Sequence, residues 1–213
     1  MPDPPCTLDE RDRACPHPVP TERTGLALAP TTNRGSITVI YGCMFSGKTT
    51  KLLQKIARYQ PSHVLAVKHC IDTRYSANQI VSHSGLAHPA VALDHASEIG
   101  PHLTGSMKIV AIDEAQFFDE NLTRATADLA RRGVDIVLTL LHPDSWGRPF
   151  ALGEQLRAIA DAPIELFATC ARCGARADRT QRLTPIRGEN MVGGPESSEP
   201  RCRGCWSPPD QPR

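Results

Sequence analysis

The chain has 213 residues, 24 basic against 23 acidic side chains, and a formal net charge of +1. That length suits one domain with a sizeable core and a small appendage, and the even charge balance provides no basic field to attract nucleic acid non-specifically. No apolar run approaches a membrane span and no apolar leader opens the chain, so the expectation is a cytoplasmic protein that binds neither membrane nor nucleic acid, its eight cysteines reduced or metal-bound.

Residues 1–34 carry seven of the nineteen prolines and few large apolar groups, which predicts a disordered extension. Cys6 and Cys15 lie within it. A metal or redox role for them and no role at all both remain open.

Ser36 to Tyr41 is apolar and β-branched and reads as a buried strand. It runs into Gly42-Cys43-Met44-Phe45-Ser46-Gly47-Lys48-Thr49, which matches G-x-x-x-x-G-K-[ST]. The spacing after it predicts a helix from Lys48 to Tyr59, with Leu52, Leu53, Ile56 and Ala57 on one face. Strand, glycine loop and helix together make a phosphate cradle. The glycines allow a tight turn that aims several N–H groups at one anion, and the helix start adds partial positive charge there. In this motif Lys48 reaches the β/γ-phosphates and the Thr49 hydroxyl sits on Mg²⁺.

His63 to Lys68 reads as a second strand, and the stretch through Asp72, Ile80, Ser82, His83 and Gly85 as loop. Residues 90–105 are ambiguous, with a short helix around Ala96. Met107 to Glu114 is an apolar strand ending in two acids, a Walker B arrangement. One carboxylate there can hold Mg²⁺ and the next can face a nucleophile. Asp119 is a candidate N-cap for a helix to Arg132, followed by a strand at 135–141, a helix at 152–160 and a last strand at 164–168. Alternating strands and helices predict an α/β fold: a P-loop NTPase-type parallel sheet with flanking helices, ligands lying beyond the strands' carboxyl ends.

Cys170-x-x-Cys173 and Cys202-x-x-Cys205 are two knuckles separated by 28 residues. Four thiolates fill a tetrahedral zinc sphere and leave no open position, so a metal here is structural, in a small C-terminal zinc-ribbon lobe. Reduced surface cysteines or a redox pair are the alternatives. The polar stretch from Arg176 to Gly194 reads as a mobile loop between the knuckles. The domain division is then 1–34 extension, 35–168 P-loop domain, 169–206 zinc lobe and 207–213 tail.

In combination these motifs resemble the type II thymidine kinases. The match runs through G-x-M-F-S-G-K-T at 42–49, D-x-R-Y and S-H-x-G within 72–85, I-D-E-A-Q-F-F at 112–118 and R-P-F at 148–150. It continues with A-T-C-x-x-C-G at 168–174, V-G-G at 192–194 and the final C-R-x-C. The resemblance implies transfer of the ATP γ-phosphoryl group to the 5′-hydroxyl of thymidine or deoxyuridine, with Mg²⁺ and structural Zn²⁺ as cofactors. It implies a homo-oligomer, tetramer or dimer, often inhibited by the end-product triphosphate. It implies Glu114 as the catalytic base and Gly42 to Thr49 as the ATP-binding loop. Thr49, Asp72 and Asp113 would be Mg²⁺-associated. Met44, Arg74, Gln116, Phe117, Thr180, Met191, Val192 and Gly193 would be substrate-binding, with Arg74 facing phosphate. The metal ligands would be Cys170, Cys173, Cys202 and Cys205.

The departures from the family pattern lie on one side. Where L-D-x-D-F-R-G is usual, this chain reads Leu141-His142-Pro143-Asp144-Ser145-Trp146-Gly147. Ser145 stands where a phenylalanine would stack on thymine, His142 replaces an aspartate, Trp146 an arginine, and Ser198 a tyrosine. Trp146 either turns inward to stack or packs on the sheet edge. Three readings stay open: a thymidine kinase, a kinase-like relative with changed or lost nucleoside specificity, and a zinc-ribbon ATPase or regulatory nucleic-acid-binding protein.

Overall fold

The computed structural model describes residues 34–72, 76–184, 194 and 196–210; the extension at 1–33 lies outside the described residues. The strands in chain order are β1 (Ile37–Gly42), β2 (Val64–His69), β3 (Gln79–Val81), β4 (Ala87–Pro89), β5 (Val91–Leu93), β6 (Ile109–Asp113) and β7 (Asp135–Leu141). They continue with β8 (Ala162–Leu166), β9 (Ala168–Thr169), β10 (Arg176–Ala177), β11 (Arg179–Arg182) and β12 (Ser198–Arg201). The helices are α1 (Lys48–Ile56), α2 (Asn121–Arg131) and α3 (Ala151–Ala158).

Six strands form the central sheet in the order β5-β2-β6-β7-β1-β8. Every neighbouring pair in it is parallel. Side chains alternate across the pleat, so each of the four inner strands feeds two cores. Ile37, Val39, Leu65, Val67, Val110, Ile112 and Leu138 pack with Leu122 and Leu129 of α2 and Leu152 and Leu156 of α3. Ile40, Ala66, Ala111 and Val137 pack on the other face with Leu52, Leu53 and Ile56 of α1. Burial on both faces explains why β1, β2, β6 and β7 read as continuous apolar runs.

The register aligns the functional ends. Gly42 pairs with Leu141 on one side and Leu166 on the other, and Lys68 pairs with Asp113. The carboxyl ends of β1, β7, β6 and β2 therefore open on one edge of the sheet.

Several local expectations need correction. The segment after Asp72, read as loop, contains the antiparallel β3–β4 hairpin, whose buried Ile80 joins the core beneath α1. A three-residue strand with one buried side chain is too short to show a period. The ambiguous stretch does hold the short helix expected around Ala96, a 3₁₀ helix over Ala96–His102, but also β5, an unexpected edge strand. Helix α1 ends at Ile56, three residues earlier than the apolar face suggested. Asp119 lies just before α2 and caps it from outside: one carboxylate oxygen accepts from Asn121 N–H at 2.9 Å, the other from Ala96 N–H at 3.0 Å. The last sheet strand starts at Ala162 and includes Pro163, allowed because β8 is an edge with a neighbour on one side only. The stretch from Arg176 is not all loop, since β10 pairs with β9 and β11 with β12. Polar strands of two to four residues carry no apolar signal.

Candidate active site

The phosphate cradle is shaped first by its backbone. Gly42, with φ 154°, lies so close to β8 that a Cβ would come within 2.2 Å of the Leu166 carbonyl oxygen. Gly47 has φ 85° and directly precedes the first residue of α1. Lys48 is 7% exposed and its ammonium donates to the Cys43 carbonyl at 2.8 Å, so its charge is folded back over the loop. Phe45, at φ 63°, lies with its ring 4.9 Å from that of His83. Cys43 is wholly buried, and burial pushes its thiol pKa up against the lowering effect of Lys48. Ser46 Oγ donates to the Cys43 carbonyl at 2.9 Å.

The carboxylates come from β6. Asp113 is 4% exposed and accepts from Thr49 Oγ1 at 3.2 Å. It also accepts from Thr139 Oγ1. Thr139 lies on β7 and is fully buried; its hydroxyl oxygen in turn accepts from Glu114 N–H at 2.9 Å. This bond ties Glu114 at φ 52°, a left-handed conformation unusual for a glutamate. Gln116 Nε2 donates to Glu114 Oε2 at 2.7 Å, while Gln116 Oε1 accepts from Leu141 N–H at 3.0 Å. Gln116 is thus 8% exposed, with its amide spanning two loops. Asp72 and Lys68 form a buried ion pair at 3.5 Å.

Met44, Phe45, Gly47, Lys48, Thr49, Asp72, Asp113 and Glu114 all line one cavity of about 120 Å³, together with Lys68, Val81 and His83. Among the residues expected to face substrate, Phe117 is half-buried with its ring 6.3 Å from that of His69. Thr180 is fully buried on β11, its Oγ1 accepting from Met44 N–H at 3.1 Å. Arg74, Met191, Val192 and Gly193 lie outside the described residues. Sequence reading missed Thr139 and Lys68. Each has a faint signal: a hydroxyl inside an apolar strand, and an ammonium ending one.

The side with departures is built differently. Asp144 Oδ1 accepts from Trp146 N–H at 2.9 Å and Arg148 N–H at 2.8 Å, closing the loop on itself. The Arg148 guanidinium stands 4.9 Å over the Trp146 ring. Neither Trp146 nor Ser145 lines the cavity at the P-loop. Ser198 is 1% exposed, on β12 opposite Arg182, and its hydroxyl has no hydrogen-bond partner among the described residues. His142 meets the Tyr41 ring edge-on at 5.6 Å; burial, then the Arg157 charge, push its pKa down.

Beyond the sheet, the four sulfurs of Cys170, Cys173, Cys202 and Cys205 lie within 4.8 Å of one another. Cys173 and Cys202 are 3.6 Å apart, close to the roughly 3.8 Å sulfur spacing implied by tetrahedral Zn–S bonds of about 2.3 Å. Burial raises the Cys170 thiol, but N–H groups of Cys202, Cys173 and Arg172 outweigh it and pull the value down to about 6, while hydrogen bonds with the neighbouring thiols, Cys173 first, push Cys205 up to about 12, so the set gives up its protons unequally. The donor set fits a structural zinc.

A parallel sheet carrying a P-loop on its first strand and paired acids at the end of β6, with a four-cysteine lobe beyond it, defines a P-loop nucleotide-binding protein with a zinc-ribbon appendage. The thymidine kinase family model matches residues 35–206. The chain belongs to the thymidine kinase family and is a kinase. Among the described residues no helix is long and apolar enough to cross a membrane.

Proposed function

We propose that this chain transfers the γ-phosphoryl group of ATP to the 5′-hydroxyl of thymidine or deoxyuridine. The observation that carries the proposal is the convergence of Lys48, Thr49, Asp113 and Glu114 on a single cavity. The P-loop amides and Lys48 hold the triphosphate, and Glu114 orients the hydroxyl and accepts its proton. A bond forms from O5′ to the γ-phosphorus as the bond to the β–γ bridging oxygen breaks, and ADP leaves with that electron pair. Gln116 and Thr139 hold the Glu114 carboxylate and amide, limiting the geometries it has to search. Thr49 and Asp113, with Asp72, are the groups that would hold Mg²⁺, which when bound neutralises charge on the β- and γ-oxygens. The adjacency of the Thr49 hydroxyl and the Asp113 carboxylate suits that ion.

In the same reading residues 35–168 do the chemistry, 169–206 form the zinc lobe that closes over the nucleoside, and 1–34 and 207–213 are accessory. Assembly as a tetramer or dimer in the cytoplasm, with neither nucleic acid nor membrane as partner, belongs to the proposal and rests on the family. A second reading, a changed nucleoside preference, is favoured by Ser145 and by Ser198, whose hydroxyl has no partner among the described residues, both at positions where the resembled family carries aromatic rings. Turnover with ATP and a panel of nucleosides separates the two. Thymidine and deoxyuridine as the best acceptors support the first; a preference for another nucleoside supports the second, and ADP release without nucleoside phosphorylation overturns both.

A further inference from the structure

The C-terminal lobe grips the P-loop through contacts that the phosphate motif does not require. Met44 N–H donates to Thr180 Oγ1 at 3.1 Å, and the Cys43 thiol donates to the Ala177 carbonyl at 3.5 Å. Burial keeps that thiol protonated. Thr180 is held from behind, because Trp206 Nε1–H donates to its carbonyl at 3.2 Å. Trp206 directly follows Cys205, and its backbone N–H donates to the Cys202 carbonyl at 3.0 Å. The second cysteine knuckle therefore sets where the indole lies. The ring also rests against the loop after β7: a Cβ on Gly147 would stand 3.0 Å from Trp206 Cη2.

We propose that Trp206 is a positioning residue for binding of the nucleoside triphosphate. The knuckle places the indole, the indole holds Thr180, and Thr180 fixes the Met44 amide in the first half of the P-loop. The proposal rests on the reading of that loop as the triphosphate site. A loop of five residues between β1 and α1 has many conformations, and few of them aim its amides at one anion. Contacts that remove the others before ligand arrives raise affinity by preorganisation. Thr180 is fully buried, so losing its hydroxyl leaves the Met44 donor unpaired in a site that water cannot readily serve. Trp206 and Thr180 form one hydrogen-bonded chain, so their effects should not add.

The test is ATP–Mg²⁺ affinity of the full, zinc-loaded chain by calorimetry, without nucleoside. Trp206→Phe keeps a ring and removes the donor, and Thr180→Val keeps the shape and removes the oxygen. Each should weaken binding by about threefold to tenfold, the size of one lost hydrogen bond. The double variant should be no weaker than the worse single one, and Thr180→Ser should restore affinity. A merely structural role would lower the melting temperature and leave the folded protein's affinity untouched. A readout that leaves the chain of contacts intact uses Trp146→Phe, in which Trp206 becomes the sole indole of the two present. Saturating ATP–Mg²⁺ should shift its emission, by the reciprocity of coupled sites. Parental affinity in the folded Trp206→Phe and Thr180→Val variants, additive losses, or an unchanged Trp206 spectrum overturns the proposal. A parent chain that binds no ATP instead overturns the P-loop reading itself.

Discussion

The two sides of the site differ in how their side chains are held. On the side proposed to hold the phosphates, buried and half-buried polar groups share partners: Thr139 of β7 joins Asp113 to Glu114 at the end of β6, and Thr49 at the start of α1 joins Asp113 to the P-loop. On the side proposed to face the nucleoside, the loop from His142 to Gly147 is tied chiefly to itself through Asp144, and the Ser198 hydroxyl has no hydrogen-bond partner among the described residues. The departures from the pattern that the sequence resembles fall on the second side. A network of shared hydrogen bonds resists substitution because each change strands a buried partner. A pocket wall built from packing tolerates exchange at the cost of affinity for one ligand.

The largest effect should break the phosphate side alone. Glu114→Gln should slow transfer by about 10²–10⁴-fold while ATP affinity by calorimetry stays near parental. Lys48→Ala should weaken ATP binding and turnover together, because its charge serves ground and transition states alike. Near-normal turnover in the glutamine variant would remove Glu114 from the chemistry.

Next in size is the metal. One zinc per chain is expected by elemental analysis, and Cys170→Ser should lower the melting temperature by on the order of 10 °C, since zinc binding is coupled to folding of the lobe. Zinc-free protein purified without chelator would contradict this.

The nucleoside side should respond in KM. Ser145→Phe should lower KM for thymidine by about tenfold, given about 1–3 kcal/mol per base stack, with a smaller effect on kcat. Ser198→Tyr is a poorer test: the side chain is 1% exposed, so a phenol there overpacks β12. Trp146→Ala reports whether that ring, already covered by Arg148, touches the base; an unchanged KM assigns it to packing.

A smaller effect lies away from both sides and calibrates them. Asp135 and Asp161 anchor the start of β1, accepting from Ser36 N–H and Ile37 N–H, each at 2.8 Å. For Asp161 the Ile37 N–H holds the carboxyl below its ordinary 3.8; for Asp135 burial raises it, but Ser36 and Tyr59 outweigh that. Both bind fewer protons folded than unfolded above their folded pKa. The stability they add is therefore present above about pH 4 and lost as the pH falls through their lowered values. Asp135→Asn should flatten the acid limb of the denaturation curve. Smallest of all, deleting residues 1–33 should leave turnover and melting temperature unchanged, and a large loss of either would give that segment a role.

The sequence by itself determined the parts whose chemistry is local. The P-loop, the acids ending β6 and the cysteine knuckles each lie within eight contiguous residues, where a fixed spacing already implies a fixed geometry. Continuous apolar runs likewise identified the four inner strands, because burial on both faces leaves no polar positions. The tertiary structure decided whatever depends on distant segments meeting. Thr139 serves Asp113 only because the register sets β7 beside β6, and Thr180 reaches Met44 across 136 positions of chain. The short strands of the lobe escaped notice because their pairing is held by backbone bonds, which every residue but proline can supply and no side-chain pattern reports.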